Sequence, residues 1–64
     1  MVKINGRELN VAGNTLTAYL KTTDFDVKRI AVEKNGEIIP KTQYETTILQ
    51  DGDCLEVVSF VGGG

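Results

Sequence analysis

The stretch "CLEVVSFV", residues 54–61, decides the fold of this 64-residue chain. Its side chains alternate between two faces, as they do in a β-strand, with Leu55 and Val57 on one face and Val58 and Phe60 on the other. The turn "QDGD" and an irregular crossover precede it, so it has no hairpin partner beside it in sequence. It must therefore pair with strands from distant parts of the chain, and we expect it beside the first strand, in the middle of a sheet.

Two Asn-Gly pairs predict the hairpins that supply those strands. Asn5-Gly6 and Asn35-Gly36 favour type I′ turns, which need a positive φ at both central residues. A two-residue loop also sets the register of each hairpin. The predicted cross-strand pairs are Val2 with Leu9, Lys3 with Glu8, Ile4 with Arg7, Val32 with Ile39, and Lys34 with Glu37.

A short helix is predicted between the hairpins. Leu16, Tyr19 and Leu20 follow the i, i+3, i+4 spacing of one helical face, and Asn14 or Thr15 can cap its N-terminus. Two turns are too few for a stable isolated helix, so it must pack on the sheet. These elements predict an α+β fold of the β-grasp (ubiquitin-like) type, a mixed sheet of four to five strands with one main helix on one face. We expect the domain to span residues 1–61 and residues 62–64 to form a flexible tail.

Size and composition narrow the function. The chain is too short for a deep substrate pocket, and it contains no His and one Cys. All seven Lys and Arg residues lie at or before Lys41, which disfavours nucleic-acid binding and suggests that the acidic remainder is attracted to a basic protein surface. The alternative is that the acidic side chains only keep the protein soluble. We expect no signal peptide, no membrane span and a cytoplasmic location.

The glycines Gly62–Gly64 are the remaining candidate for chemistry, because no phosphate-binding loop or complete calcium loop is present and nothing marks Cys54 as a nucleophile. The carboxylate of Gly64 is a poor electrophile until another protein activates it. Gly62 and Gly63, without Cβ atoms, can thread a narrow channel in such a partner. Val58 and Phe60 should be exposed beside this tail as a docking patch. The alternatives are an idle tail and ordinary exposed apolar residues.

Three segments resemble the ThiS family, the small sulfur carriers of thiamine (thiazole) biosynthesis, over essentially the whole chain. They are "INGRE", "AVEKNGEIIPKTQY" and "LQDGDCLEVVSFVGGG". The resemblance implies a co-substrate, not an enzyme, that binds no cofactor itself. A ThiF-type adenylating enzyme would use ATP and magnesium to adenylate Gly64. Sulfur from a cysteine desulfurase would then form a thiocarboxylate, which the thiazole synthase ThiG would use. Gly62 and Gly63 would be the channel-threading arm, with Val58 and Phe60 in the docking surface.

Other functions remain open at this point. A carrier could feed molybdopterin or another thiolated product, since those relatives also end in glycine. A ubiquitin-like modifier would form isopeptide links to lysines. A plain interaction module would tolerate loss of its tail.

Overall fold

Five strands form a single mixed sheet in the computed structural model, which describes residues 1–60. The spatial order is β2-β1-β5-β3-β4, in which only the β1–β5 pair is parallel. This arrangement confirms the predicted α+β, β-grasp fold. The strands are β1 (Val2–Ile4), β2 (Arg7–Leu9), β3 (Ile30–Lys34), β4 (Glu37–Ile39) and β5 (Cys54–Ser59).

Both hairpins have the predicted register. Val2 pairs with Leu9 in the first, and Val32 pairs with Ile39 in the second. Asn5 and Asn35 have φ angles of 52° and 53°, which are left-handed values that asparagine tolerates better than most residues. Pro40 follows β4 directly, where it cannot donate a ladder hydrogen bond.

Strand β5 lies in the centre of the sheet, beside β1 as predicted. Its other neighbour is β3, which it meets antiparallel from Ile30 opposite Ser59 to Lys34 opposite Leu55. The strand ends at Ser59, two residues before the predicted end at Val61. Phe60 lies beyond the strand, although its N–H still donates to the Arg29 carbonyl at 2.7 Å. The predicted domain boundary after residue 61 lies outside the described residues.

The helix α1 (Leu16–Leu20) packs on one face of the sheet, which we call the helix face. Thr15, one of the two predicted caps, accepts a hydrogen bond from the Ala18 N–H at 3.1 Å. Two 3-10 turns, Val27–Arg29 and Lys41–Gln43, complete the chain between strands. None of the helices within residues 1–60 has the length and hydropathy that a membrane crossing needs.

One hydrophobic core lies between α1 and the sheet. It contains Leu16, Tyr19 and Leu20, the residues predicted to form the apolar side of α1. Tyr44 and Leu49 of the crossover complete the core and are 3% and 0% exposed. Phe25, which follows the helix, packs against this core and is half-buried. The buried members are Val2, Ile4, Leu16, Tyr19, Leu20, Ile30, Val32, Tyr44, Leu49, Leu55 and Val57.

Candidate functional site

The site begins where the central strand reaches the end of the sheet. Because β5 alternates, Leu55 and Val57 are buried in the core while Val58 and Phe60 lie on the opposite face, which we call the open face. Val58 is 53% exposed and Phe60 is 54% exposed. Their predicted exposure is therefore observed, and their role in docking stays a prediction.

The turn asparagines hold β5 in place through their side chains. The Asn5 amide accepts from the Val57 N–H at 2.7 Å and donates to the Val57 carbonyl at 3.1 Å, so it takes the place of a neighbouring strand residue. On the other side of β5, the side-chain oxygen Oδ1 of Asn35 accepts a hydrogen bond from the Cys54 N–H at 2.9 Å. The Asn-Gly pattern predicts only turns at these residues. The partners of their side chains lie 52 and 19 positions away, too far for a local pattern to indicate them.

Asp53 anchors the start of the same strand. It is nearly buried, and its carboxylate accepts from the Asn35 amide at 3.0 Å and from the Gln50 N–H at 2.9 Å. The Lys34 ammonium lies 3.9 Å away. Burial opposes ionisation, but the Gln50, Asn35 and Lys34 contacts outweigh it and lower the pKa of Asp53. The "DGD" segment, predicted as a turn, thus also carries a structural carboxylate.

A shallow cavity of about 340 Å³ lies beside Phe60. Its walls come from β5 and from the loop after α1, where Asp26 and Arg29 form an ion pair at 3.7 Å. Asp26 also accepts from the Lys28 N–H at 3.0 Å, which stabilises the 3-10 turn that ends at Arg29. The cavity is open to the surface, so it can contact a partner but not enclose a substrate. Its lining residues are Asp24, Phe25, Asp26, Arg29, Ser59 and Phe60.

Within residues 1–60, no three Cys, Asp or Glu side chains are grouped so as to hold a metal ion. Cys54 is a free, exposed thiol on the open face. The predicted positions Gly62, Gly63 and Gly64 lie outside the described residues, as does Val61, so their roles stay predictions.

These features define a class of protein: a small β-grasp domain whose central strand is followed directly by an exposed aromatic residue, four positions before Gly64. The described surface offers contact faces, not an enclosed pocket. The chain belongs to the ThiS family, whose family model matches residues 2–64.

Individual relatives agree with this assignment. The sulfur carrier protein ThiS of Bacillus subtilis is 38% identical over an alignment of 66 positions, which covers 100% of both chains. A crystal structure of the thiamine biosynthesis protein ThiS from Geobacter metallireducens superposes with a TM-score of 0.79 at 28% identity, covering 98% of this chain and 97% of that one. The fold identified from the sequence is therefore that of a solved ThiS protein.

A longer relative contains a similar sequence as part of a larger chain. A thiazole synthase of Paramagnetospirillum magneticum is 45% identical over 62 residues, which are 95% of this chain but only 19% of that one. The chain thus spans about a fifth of the length of that relative. A ThiS-like segment can accordingly occur within a thiazole synthase chain.

Proposed function

We propose that this protein is the sulfur carrier for formation of the thiazole ring in thiamine biosynthesis. Two observations support the proposal. The family match extends through Gly64, and β5 ends at Ser59, directly before the exposed Phe60, which lies four residues before Gly64. Four residues can span at most about 13 Å, which is enough to bring a terminal carboxylate into a partner's pocket while the β-grasp domain stays outside.

The proposed chemistry uses the C-terminal carboxylate, which is ionised at neutral pH and resists nucleophilic attack. In a ThiF-type adenylating enzyme with ATP and magnesium, a carboxylate oxygen of Gly64 attacks the α-phosphorus and pyrophosphate leaves. The resulting mixed anhydride has an electrophilic carbonyl carbon. The terminal sulfur of a cysteine desulfurase persulfide then displaces AMP to give an acyl disulfide, and a thiol reductant cleaves its S–S bond, so that the products are the thiocarboxylate and the thiol's disulfide. The thiazole synthase ThiG receives this sulfur.

Glycine at Gly62 and Gly63 suits passage through a narrow channel, because the absence of a Cβ reduces the width of the chain. The protein acts as a co-substrate on this proposal, and its own contribution is to dock and to present the carboxylate. Val58 and Phe60 supply apolar docking contacts next to the tail.

Intact-mass measurement tests the proposal directly. The purified protein is incubated with the adenylating enzyme, ATP, magnesium and a sulfur donor. We expect a mass gain equal to the replacement of one oxygen by sulfur, localised to Gly64 by fragmentation. A chain lacking Gly64 is expected to fold normally, since the hydrophobic core lies within residues 1–60, and to gain no sulfur.

Two results would contradict the proposal. One is an unmodified carboxylate after incubation with a partner that activates another carrier in parallel. The other is thiazole formation supported by the chain that lacks Gly64. Isopeptide-linked adducts on lysines would instead identify a ubiquitin-like modifier, and transfer of sulfur to a molybdopterin precursor alone would identify a carrier for that product.

A further inference from the structure

The open face contains two carboxylates placed directly opposite each other. Glu33 on β3 and Glu56 on β5 are register partners, so their side chains leave the sheet on the same side, with Cβ atoms about 5 Å apart. Both are exposed, and among residues 1–60 neither makes an ion pair. Like charges in this position destabilise a sheet, whereas opposite charges would stabilise it.

Apolar side chains lie beside this pair on β4 and further along β5. Ile38 on β4 is the register partner of Glu33 and is 64% exposed. Two residues further along the strands, Ala31 lies opposite Val58, and Phe60 follows the end of β5. The two carboxylates therefore border an exposed apolar surface that continues to Phe60. We call Ile38, Glu33, Glu56, Val58 and Phe60 the docking face.

Within residues 1–60, no Lys or Arg side chain forms an ion pair with Glu33 or Glu56. Arg29 pairs with Asp26 and Lys34 with Asp53, while Lys3 lies opposite Glu8 and beside Cys54. Solubility does not explain the arrangement, because two carboxylates would serve solubility equally well if they were not opposed. Two carboxylates are also too few to hold a divalent cation well. A cation from outside the chain would remove the repulsion.

We propose that the docking face binds a protein surface that places an arginine side chain between Glu33 and Glu56 and surrounds it with apolar groups. A guanidinium suits the position because its planar fork can donate to two carboxylates at once and is only weakly hydrated. A second copy of the chain does not suit it, since a symmetric contact would bring four carboxylates together. The inference rests on the proposed function, in which the occupant is the adenylating partner.

The test combines binding and stability in the same variants. Glu33→Gln/Glu56→Gln is titrated calorimetrically against the adenylating enzyme, and its Tm is measured beside that of the unchanged chain. We expect Kd to rise about tenfold or more, in keeping with the loss of charge-assisted hydrogen bonds, while Tm stays equal or increases. Binding of the unchanged chain should weaken with salt more steeply than binding of the variant.

Two further variants separate the docking face from charge in general. Glu37→Gln also removes one carboxylate, but Glu37 lies on β4 opposite Lys34 and hence on the helix face, so Kd should change less than twofold. Glu56→Lys places opposite charges across β3 and β5, so it should raise Tm and yet abolish most binding. Greater stability with weaker binding cannot come from damage to the fold.

Several outcomes would overturn the inference. They are an unchanged Kd in the double variant, an equal loss of affinity in Glu37→Gln, or a dimer of the unchanged chain that the Glu56→Lys substitution dissociates. Failure of the inference is distinguishable from failure of the proposed function. If the double variant binds normally and Gly64 still gains sulfur, only the inference fails, whereas an unchanged chain that neither binds nor gains sulfur removes both.

Discussion

At the scale of single residues, asparagine performs two tasks that the turn rules describe only in part. Asn5 adopts the positive φ that its turn requires, and its amide also satisfies both backbone groups of Val57. Asn35 similarly joins its turn to Cys54 and Asp53. A glycine would satisfy the φ requirement and would leave these polar groups without their partners. Side-chain chemistry, as well as backbone freedom, therefore selects asparagine here.

Asp53 makes stability depend on pH in the acid range. Because its folded-state pKa is lowered, the unfolded chain binds the proton more tightly, and the stabilisation is fully present above the ordinary value of about 3.9. It is lost as the pH falls through the lowered folded-state value. We predict that Tm of the unchanged chain falls below about pH 4, with Asp53 as one contributor.

Asp53→Asn separates this contribution from that of other carboxylates. At pH 7 the variant should be less stable by about 1–3 kcal/mol, because an amide cannot accept from both Gln50 and Asn35 as a carboxylate does. The difference in Tm between the two proteins should shrink as the pH approaches 2. Thermal melts of both proteins at one-unit pH intervals measure this difference. A Tm difference that stays constant with pH would show that Asp53 does not contribute to the loss of stability in acid.

At the scale of elements, a helix of five residues is stable because other parts of the fold accept hydrogen bonds from the N–H groups of its first turn. The Leu16 N–H donates to the Thr47 carbonyl at 2.8 Å, and the Thr17 N–H donates to the Tyr44 carbonyl at 3.1 Å. Thr15 accepts hydrogen bonds from the next two N–H groups: its side-chain oxygen accepts from Ala18, and its backbone carbonyl accepts from Tyr19. Leu16, Thr17 and Ala18, whose N–H groups have no acceptor within the helix backbone, are thus all bonded. The crossover acts as part of the helix cap.

Replacing the cap residue should therefore have a measurable cost. We predict that Thr15→Ala lowers the free energy of unfolding by about 1 kcal/mol, because the Ala18 N–H loses its acceptor. Thr15→Ser keeps a hydroxyl oxygen at the cap and should remain close to the unchanged chain. Urea denaturation of the three proteins gives the comparison. Equal stability of the alanine and serine variants would show that the hydroxyl contributes nothing.

At the scale of the whole molecule, the sheet separates two surfaces with different tasks. The helix face of the sheet is covered by α1 and the crossover, and it holds the core. The open face has no covering element among residues 1–60, and it carries the apolar side chains Ile38, Val58 and Phe60. The central strand contributes to both surfaces, since Leu55 and Val57 belong to the core. Folding and the proposed docking therefore use alternate residues of one strand.

That separation predicts that docking can be impaired without unfolding. Phe60→Asp should change the free energy of unfolding by about 0.5 kcal/mol or less, because the side chain is 54% exposed and lies past the end of β5. Binding to the adenylating enzyme should weaken by at least tenfold, as expected for an aromatic residue near the centre of an interface.

Ile48→Asp is the matched control for this prediction. Ile48 is 52% exposed and belongs to the crossover, where its only ladder contact among the described residues is the bridge to Thr15. Calorimetric binding and a thermal melt of both variants decide the matter. An affinity that is unchanged in Phe60→Asp, or reduced equally in Ile48→Asp, would exclude Phe60 from the interface.

Much of this protein follows from its sequence by local rules. Two-residue Asn-Gly turns determine both hairpin registers, because the side-chain period of a strand leaves no freedom once the turn is set. The helical spacing of Leu16, Tyr19 and Leu20 identified the buried face of α1. Alternation along β5 identified Val58 and Phe60 as exposed, and the absence of a hairpin partner indicated a central position beside β1. Each of these rules needs only residues close together in the chain.

Only the tertiary structure decided the contacts between distant segments. It determined that β5 also pairs with β3, and in a register that brings Glu33 opposite Glu56. It likewise showed that Asn5 and Asn35 hold β5 and that Tyr44 and Thr47 complete the cap of α1. The physical reason is that such pairings depend on which surfaces meet when the apolar faces are buried together. That outcome is a property of the whole packed chain, and no local spacing records it.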